Sequence, residues 1–176
     1  MANTYVVIAT TTVGSGGTSS IDFTSIPATY TDLLIKLSAR TNLASSAYEQ
    51  LGIQLNGSTA SNYQAKLLYG IPTTVGSANS GTVNAMAYAG YATASTATAN
   101  TFGNIEIYIP NYAGSTAKSV SIDGVSENNA TDAIATLTAG FWSLTNAITS
   151  IKIIGNGGGG TFQQYSTATL YGIKNS

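Results

Sequence analysis

Leu33-Leu34-Ile35-Lys36-Leu37-Ser38-Ala39-Arg40 puts Leu33, Ile35, Leu37 and Ala39 on one face of an extended chain and Lys36, Ser38 and Arg40 on the other. A period of two is the mark of a strand with one face buried, because successive side chains leave a strand on opposite sides. The pattern recurs outward in both directions. Leu51, Ile53 and Leu55 alternate with Gly52, Gln54 and Asn56; Ile105, Ile107 and Ile109 alternate with Glu106 and Tyr108; Val120 and Ile122 alternate with Ser119, Ser121 and Asp123.

Turn residues break these runs at short intervals: Gly14-Ser15-Gly16-Gly17, Asn56-Gly57-Ser58, 76–81, 111–114, Asp123-Gly124 and Asn156 followed by Gly157 to Gly160. The alternation predicts about ten strands, at 4–10, 20–24, 32–41, 49–55, 62–70, 82–90, 102–109, 117–124, 134–143, and 150–155 with 161–173. The last two are read as a hairpin over the glycine run, and 45–50 as the best candidate for a single helical turn. Many short strands with Gly-rich turns predict an all-β protein, an antiparallel β-sandwich or barrel. The Ala/Thr/Ser stretch 93–101 is low in complexity. It reads as a long loop inside one domain spanning 1–176.

Composition limits what such a sandwich can do. The chain has six Lys and Arg, seven Asp and Glu, and neither His nor Cys. His and Cys supply most proton relays, soft-metal ligands and activated nucleophiles. Without Cys there is no disulfide framework. The six cations are scattered, so neither nucleic acid nor an anionic membrane is an expected partner. No run reaches the 18 or so apolar residues of a membrane span, and Met1-Ala2-Asn3-Thr4 has no basic signal-peptide start, so synthesis in a cytoplasm is expected. A net charge of −1 protects poorly against self-association, which points to a homo-oligomer or a permanently docked chain.

The individual constellations lean the same way. Asn156-Gly157-Gly158-Gly159-Gly160 lacks the Lys-Ser/Thr pair of a phosphate loop and reads as a hairpin tip. Asp123, Glu127 and Asp132, with Asn128 and Asn129, form the one acidic cluster. Its spacing matches no calcium loop, so it reads as a solvated turn. Nothing pairs two carboxylates as a glycosidase requires, and the serines and threonines have no histidine base. Asn56-Gly57-Ser58 and Asn129-Ala130-Thr131 fit a glycosylation pattern but read as a hairpin turn and a loop. No catalytic residue, metal ligand or cofactor is assigned.

Eleven tyrosines carry more information. Tyr63, Tyr69, Tyr88, Tyr91, Tyr108 and Tyr112 gather in the middle of the chain near strand ends and turns. A ring with a flat apolar face and a polar tip suits a protein interface or stacking on a sugar. High strand propensity also explains tyrosines on a half-buried sheet. Trp142, after Phe141, is assigned to the core.

Several stretches together resemble a family of small tailed-bacteriophage virion proteins: Tyr5-Val6-Val7-Ile8-Ala9, Ile21-Asp22-Phe23 through Ile35, Leu55-Asn56-Gly57-Ser58 with Ser61-Asn62-Tyr63, Ile105 through Tyr112, Ile148 through Lys152 and Ala168 through Lys174. The resemblance covers nearly the whole chain, and its motifs are structural rather than catalytic. It implies a jelly-roll-like β-sandwich on the virion surface, made in the host cytoplasm. The implied role is a capsid decoration (cement) protein, a homotrimer that binds the major capsid protein. The alternative it implies is a tail or tail-fibre module that binds a host-surface glycan.

Overall fold

A computed structural model describes residues 4–44 and 46–174. The chain is all-β, with no helical residue among those described. Twelve strands follow in order: β1 (Tyr5–Thr12), β2 (Ser20–Phe23), β3 (Asp32–Ala39), β4 (Tyr48–Leu55), β5 (Tyr63–Ile71), β6 (Thr74–Asn79), β7 (Tyr91–Thr93), β8 (Gly103–Ile109), β9 (Lys118–Glu127), β10 (Ala133–Trp142), β11 (Ile151–Gly155) and β12 (Thr167–Ile173). They form an eight-stranded sheet in the order β1-β12-β3-β8-β9-β10-β5-β6 and a four-stranded sheet in the order β2-β11-β4-β7. Every strand pair is antiparallel, as the β-sandwich reading expects. The finer jelly-roll description is not established by this strand order.

Alternation decides which residues enter the core. On β9, Lys118, Val120, Ile122, Gly124 and Ser126 point inward and the residues between them point out. β10 pairs with β9 along its whole length in the opposite phase. The inward side chains of both sheets merge into one apolar cluster running from Val13 to Leu170. Trp142 lies within it, stacked on its cross-strand neighbour Tyr63 with ring centroids 6.3 Å apart and planes 18° from parallel. Eight strands facing four leave the large sheet overhanging the small one. β6, at its edge, is exposed on both faces.

Five sequence expectations are corrected. Residues 82–90 are not a strand: Val83 bridges to Tyr63 of the large sheet, Met86 bridges to Ile53 of the small one, and Tyr88 and Gly90 adopt positive φ of 58° and 87°. The segment passes between the sheets, and left-handed residues end its extension. The strand in this region is instead β6, within the stretch read as a turn. Thr74-Val75-Gly76-Ser77-Ala78-Asn79 shows no apolar alternation because neither of its faces is buried.

The expected hairpin over the glycine run does not form either. β11 pairs with β2 and β4 in the small sheet, and β12 pairs with β1 and β3 in the large one. The glycines therefore carry the chain across the sandwich. Likewise Asn56-Gly57, with φ of 53° and 67° and a Ser58 N–H to Leu55 O bond of 3.0 Å, makes the tight turn its sequence promises. It joins strands of different sheets, not a hairpin. The candidate helical turn at 45–50 is also overturned: Tyr48–Gln50 is strand, and Ser45 lies outside the described residues, as do Met1 to Asn3.

Candidate functional site

The most distinctive surface is the outer face of the large sheet across β9, β10, β5 and β6. Register builds it in rows. Asp123, Leu137, Leu68 and Ser77 lie side by side across the four strands; Val125, Ala135, Gly70 and Val75 form the next row. All project away from the core: on β9 and β10 the even residues are buried and the odd ones face out, and on β5 the odd residues are buried and the even ones face out. Val75 is 85% exposed, Leu68 61%, Leu137 59%, Val125 52% and Phe141, farther along β10, 43%. The small side chains at Ala135 and Gly70 leave a groove of about 760 Å³ between these larger ones.

Large apolar side chains gathered on one face are the informative departure for a water-facing sheet. The charges lie at its margin. At the β9 end Asp123 closes the row of Leu137, beside Glu106, which is ion-paired with Lys36; along the strands Lys66, paired with Ala139, lies in the next row, between Leu68 and the Phe141 row. An apolar centre with a polar rim is the anatomy of a protein–protein contact.

Of the six tyrosines, Tyr69 alone borders this groove. Tyr63 and Tyr112 have no accessible surface at all. The Tyr63 hydroxyl accepts Leu55 N–H at 2.8 Å and lies 3.1 Å from Ser58 O, and the Tyr112 hydroxyl donates to Pro27 O. Both are core struts, so they leave the set of contact candidates. Burial raises the pKa of each. Tyr108 emerges on the outer face near Asp32, donating to its carboxylate at 3.0 Å.

Tyr69, Tyr88 and Tyr91 do come together, all half-buried. Burial, then the proximity of Tyr88 and Tyr69, raises the Tyr91 pKa. However, the Tyr69 ring lies over Gly76 of β6, closing the space a Cβ would need there. Its face is committed to an edge glycine.

Two inward charges, not singled out by sequence, stand opposite this picture. Glu49 has no exposure and lies on the inner face of β4 in phase with Leu51, Ile53 and Leu55. Its Oε1 accepts Gly160 N–H at 2.8 Å, while Oε2 has no hydrogen-bond partner among the described residues. Lys118 is in phase with Val120 and Ile122 on β9. Its ammonium donates to Gly114 O at 2.8 Å, to Thr145 O at 3.3 Å and to Thr116 O, and burial lowers its pKa. Their phase was the available signal: each continues an apolar alternation with a charge.

The remaining carboxylates are dispersed. Asp22 lies 3.8 Å from Lys152, and Asp32 accepts Asn111 N–H at 2.9 Å. In the 127–132 cluster Glu127 accepts Asn129 N–H, and Asn128 Oδ1 accepts the N–H groups of Ala130 and Asp132 at 3.0 and 3.1 Å. Its oxygens serve to close the β9–β10 turn. Among the described residues no three acidic side chains converge as a metal site would need.

Compared with protein-family models, curated proteins and solved structures, the chain finds no match, and nothing there links it to virion proteins.

Proposed function

We propose that this chain is a non-enzymatic structural protein held permanently in a larger assembly, and that the assembly is a bacteriophage particle on whose shell it acts as a decoration protein. The observation that carries the reading is the exposed apolar face of Leu68, Val75, Val125 and Leu137, bordered by Asp123 at the β9 end and by Lys66 in the row toward Phe141. Such a face is costly in water and is relieved by burial against a partner. The choice of a virion rests on the resemblance running through 5–174.

The test is retention under salt. Ion-pair docking weakens as the Debye length falls from about 10 Å at 0.1 M to about 3 Å at 1 M, whereas apolar burial and backbone pairing do not. The protein is expected to stay on purified particles through a molar NaCl wash, and particles lacking it to lose resistance to heat while still adsorbing to cells. Release by salt, or turnover of host polysaccharide abolished by replacing one carboxylate, overturns the reading. Loss of adsorption with an intact shell favours a glycan-binding module instead.

A further inference from the structure

The outer face carries its own complement. Leu137 and Leu68 are cross-strand partners and form a ridge; one row away, Ala135 and Gly70 are cross-strand partners and form a pit. Val125 and Val75 close the pit at either end of that row. A two-fold axis lying in the plane of the face, across the strands and between these rows, exchanges them. The ridge of one copy then enters the pit of the other, and the reverse contact forms at the same time. That is the condition for an isologous interface, in which residue i meets j and j meets i.

Building on the assembly reading above, the geometry points to a second copy of this chain as the occupant of the face, with Leu137 of each protomer packed into the depression at Ala135 and Gly70 of the other. Sheets stacked face to face align to within about 30° at about 10 Å separation, which an in-plane two-fold axis satisfies. The large side chains of the face are 52–85% exposed, with the outward Ala133, Ala135 and Ala139 between and beside them. A monomer's largest apolar patch reaches about 600 Å² and a standard interface takes about 800 Å² per partner, so the polar rim must join the contact. The same axis sets Asp123, at the β9 end of the ridge row, over Val125 of the other copy, so a carboxylate lies at the rim of each half of the contact, while a net charge of −1 keeps long-range repulsion small. Such a contact closes at two copies, and so departs from the trimer implied by the resemblance.

The experiment is a double-mutant cycle read by sedimentation across a concentration series. The wild-type chain is expected to sediment as a dimer, twice the 17.9 kDa chain mass. Leu137→Ala removes the ridge and Ala135→Leu fills the pit. Each is expected to weaken dimerisation about tenfold or more. The double variant moves the ridge into the former pit on both copies and is expected to recover most of the affinity, a non-additivity that only reciprocal contact gives. Both positions are solvent-facing, and an unchanged circular dichroism spectrum confirms that each variant is folded. A monomer at hundreds of micromolar, or a double variant as weak as the two losses combined, overturns the proposal. A monomer that still resists a molar salt wash on particles overturns it while leaving the structural reading standing.

Discussion

The buried carboxylate of Glu49 explains why the glycine run must be glycine at one place and not at its neighbour. A Cβ on Gly160 collides with Glu49 Oε2. Gly159 has open space around it but a φ of 75°. Gly160→Ala is therefore expected to cost more than about 2 kcal/mol by displacing the buried Glu49 side chain, and Gly159→Ala about 1 kcal/mol through left-handed strain alone. Urea unfolding followed by Trp142 fluorescence separates the two. Lys118 provides the second test. Lys118→Met keeps the volume but leaves three carbonyls without their donor, an expected loss of about 2–4 kcal/mol in the same titration. No gain in stability is expected, because the ammonium is solvated by backbone oxygens and does not face an unpaired apolar wall.

At the scale of the element, Arg40 accounts for the order of a segment whose composition looks like a linker. Its guanidinium donates to Ala97 O at 3.0 Å, Thr98 O at 2.9 Å and Thr101 O at 3.2 Å, from just beyond the end of β3. One side chain thus ties 97–101 to the end of β3, while backbone bonds from Ala94 to Ala47, Thr96 to Ser46 and Thr98 to Asn128 hold the rest of the loop after β7. Arg40→Ala is expected to raise amide exchange in 97–101 at least tenfold while leaving β9 and β10 unchanged, since only the local opening equilibrium is altered. Hydrogen exchange by mass spectrometry reads this directly, and equal protection in both chains would show that the loop packs without Arg40. Low complexity conceals such an anchor because the partners are backbone carbonyls, which every residue owns.

For the whole molecule, the tyrosines set the response to alkali. The Tyr48 hydroxyl, which donates to Asp132 O at 2.6 Å, is pushed up from 10 to about 12 by burial first, then by Asp132 and Glu127. Burial also raises Tyr63, Tyr91, Tyr108 and Tyr112. A phenol whose folded pKa lies above its unfolded value keeps its proton in the native state where the unfolded chain has lost it. Its contribution is complete below pH 10 and is lost as pH rises from 10 through about 12. Lys118 and Arg40, lowered by burial, act in the opposite sense, with stability rising toward their unfolded values. Five phenols outweigh them. The melting temperature is expected to fall steadily above about pH 10, as the unfolded chain ionises phenols that the native state keeps protonated. Tyr48→Phe is expected to flatten that fall.

What the sequence determined by itself is the class of fold and the inward face of most strands, because a period of two is written into each strand locally. Leu33 to Ala39, Leu51 to Leu55, Ile105 to Ile109 and Val120 to Ile122 are all core where alternation puts them. Trp142 is legible for the same reason. What only the tertiary structure decided is which strand lies beside which. Ile151, Ile153, Ala168 and Leu170 look alike as apolar positions, yet β11 and β12 belong to different sheets. Strand pairing is a long-range choice that local pattern does not encode. The candidate face was hidden likewise: Leu68, Val75, Val125 and Leu137 lie on four strands that register brings into neighbouring rows. Alternation identifies Leu68 and Leu137 as out of phase with their strands' cores. Only the pairing makes them a ridge beside a pit.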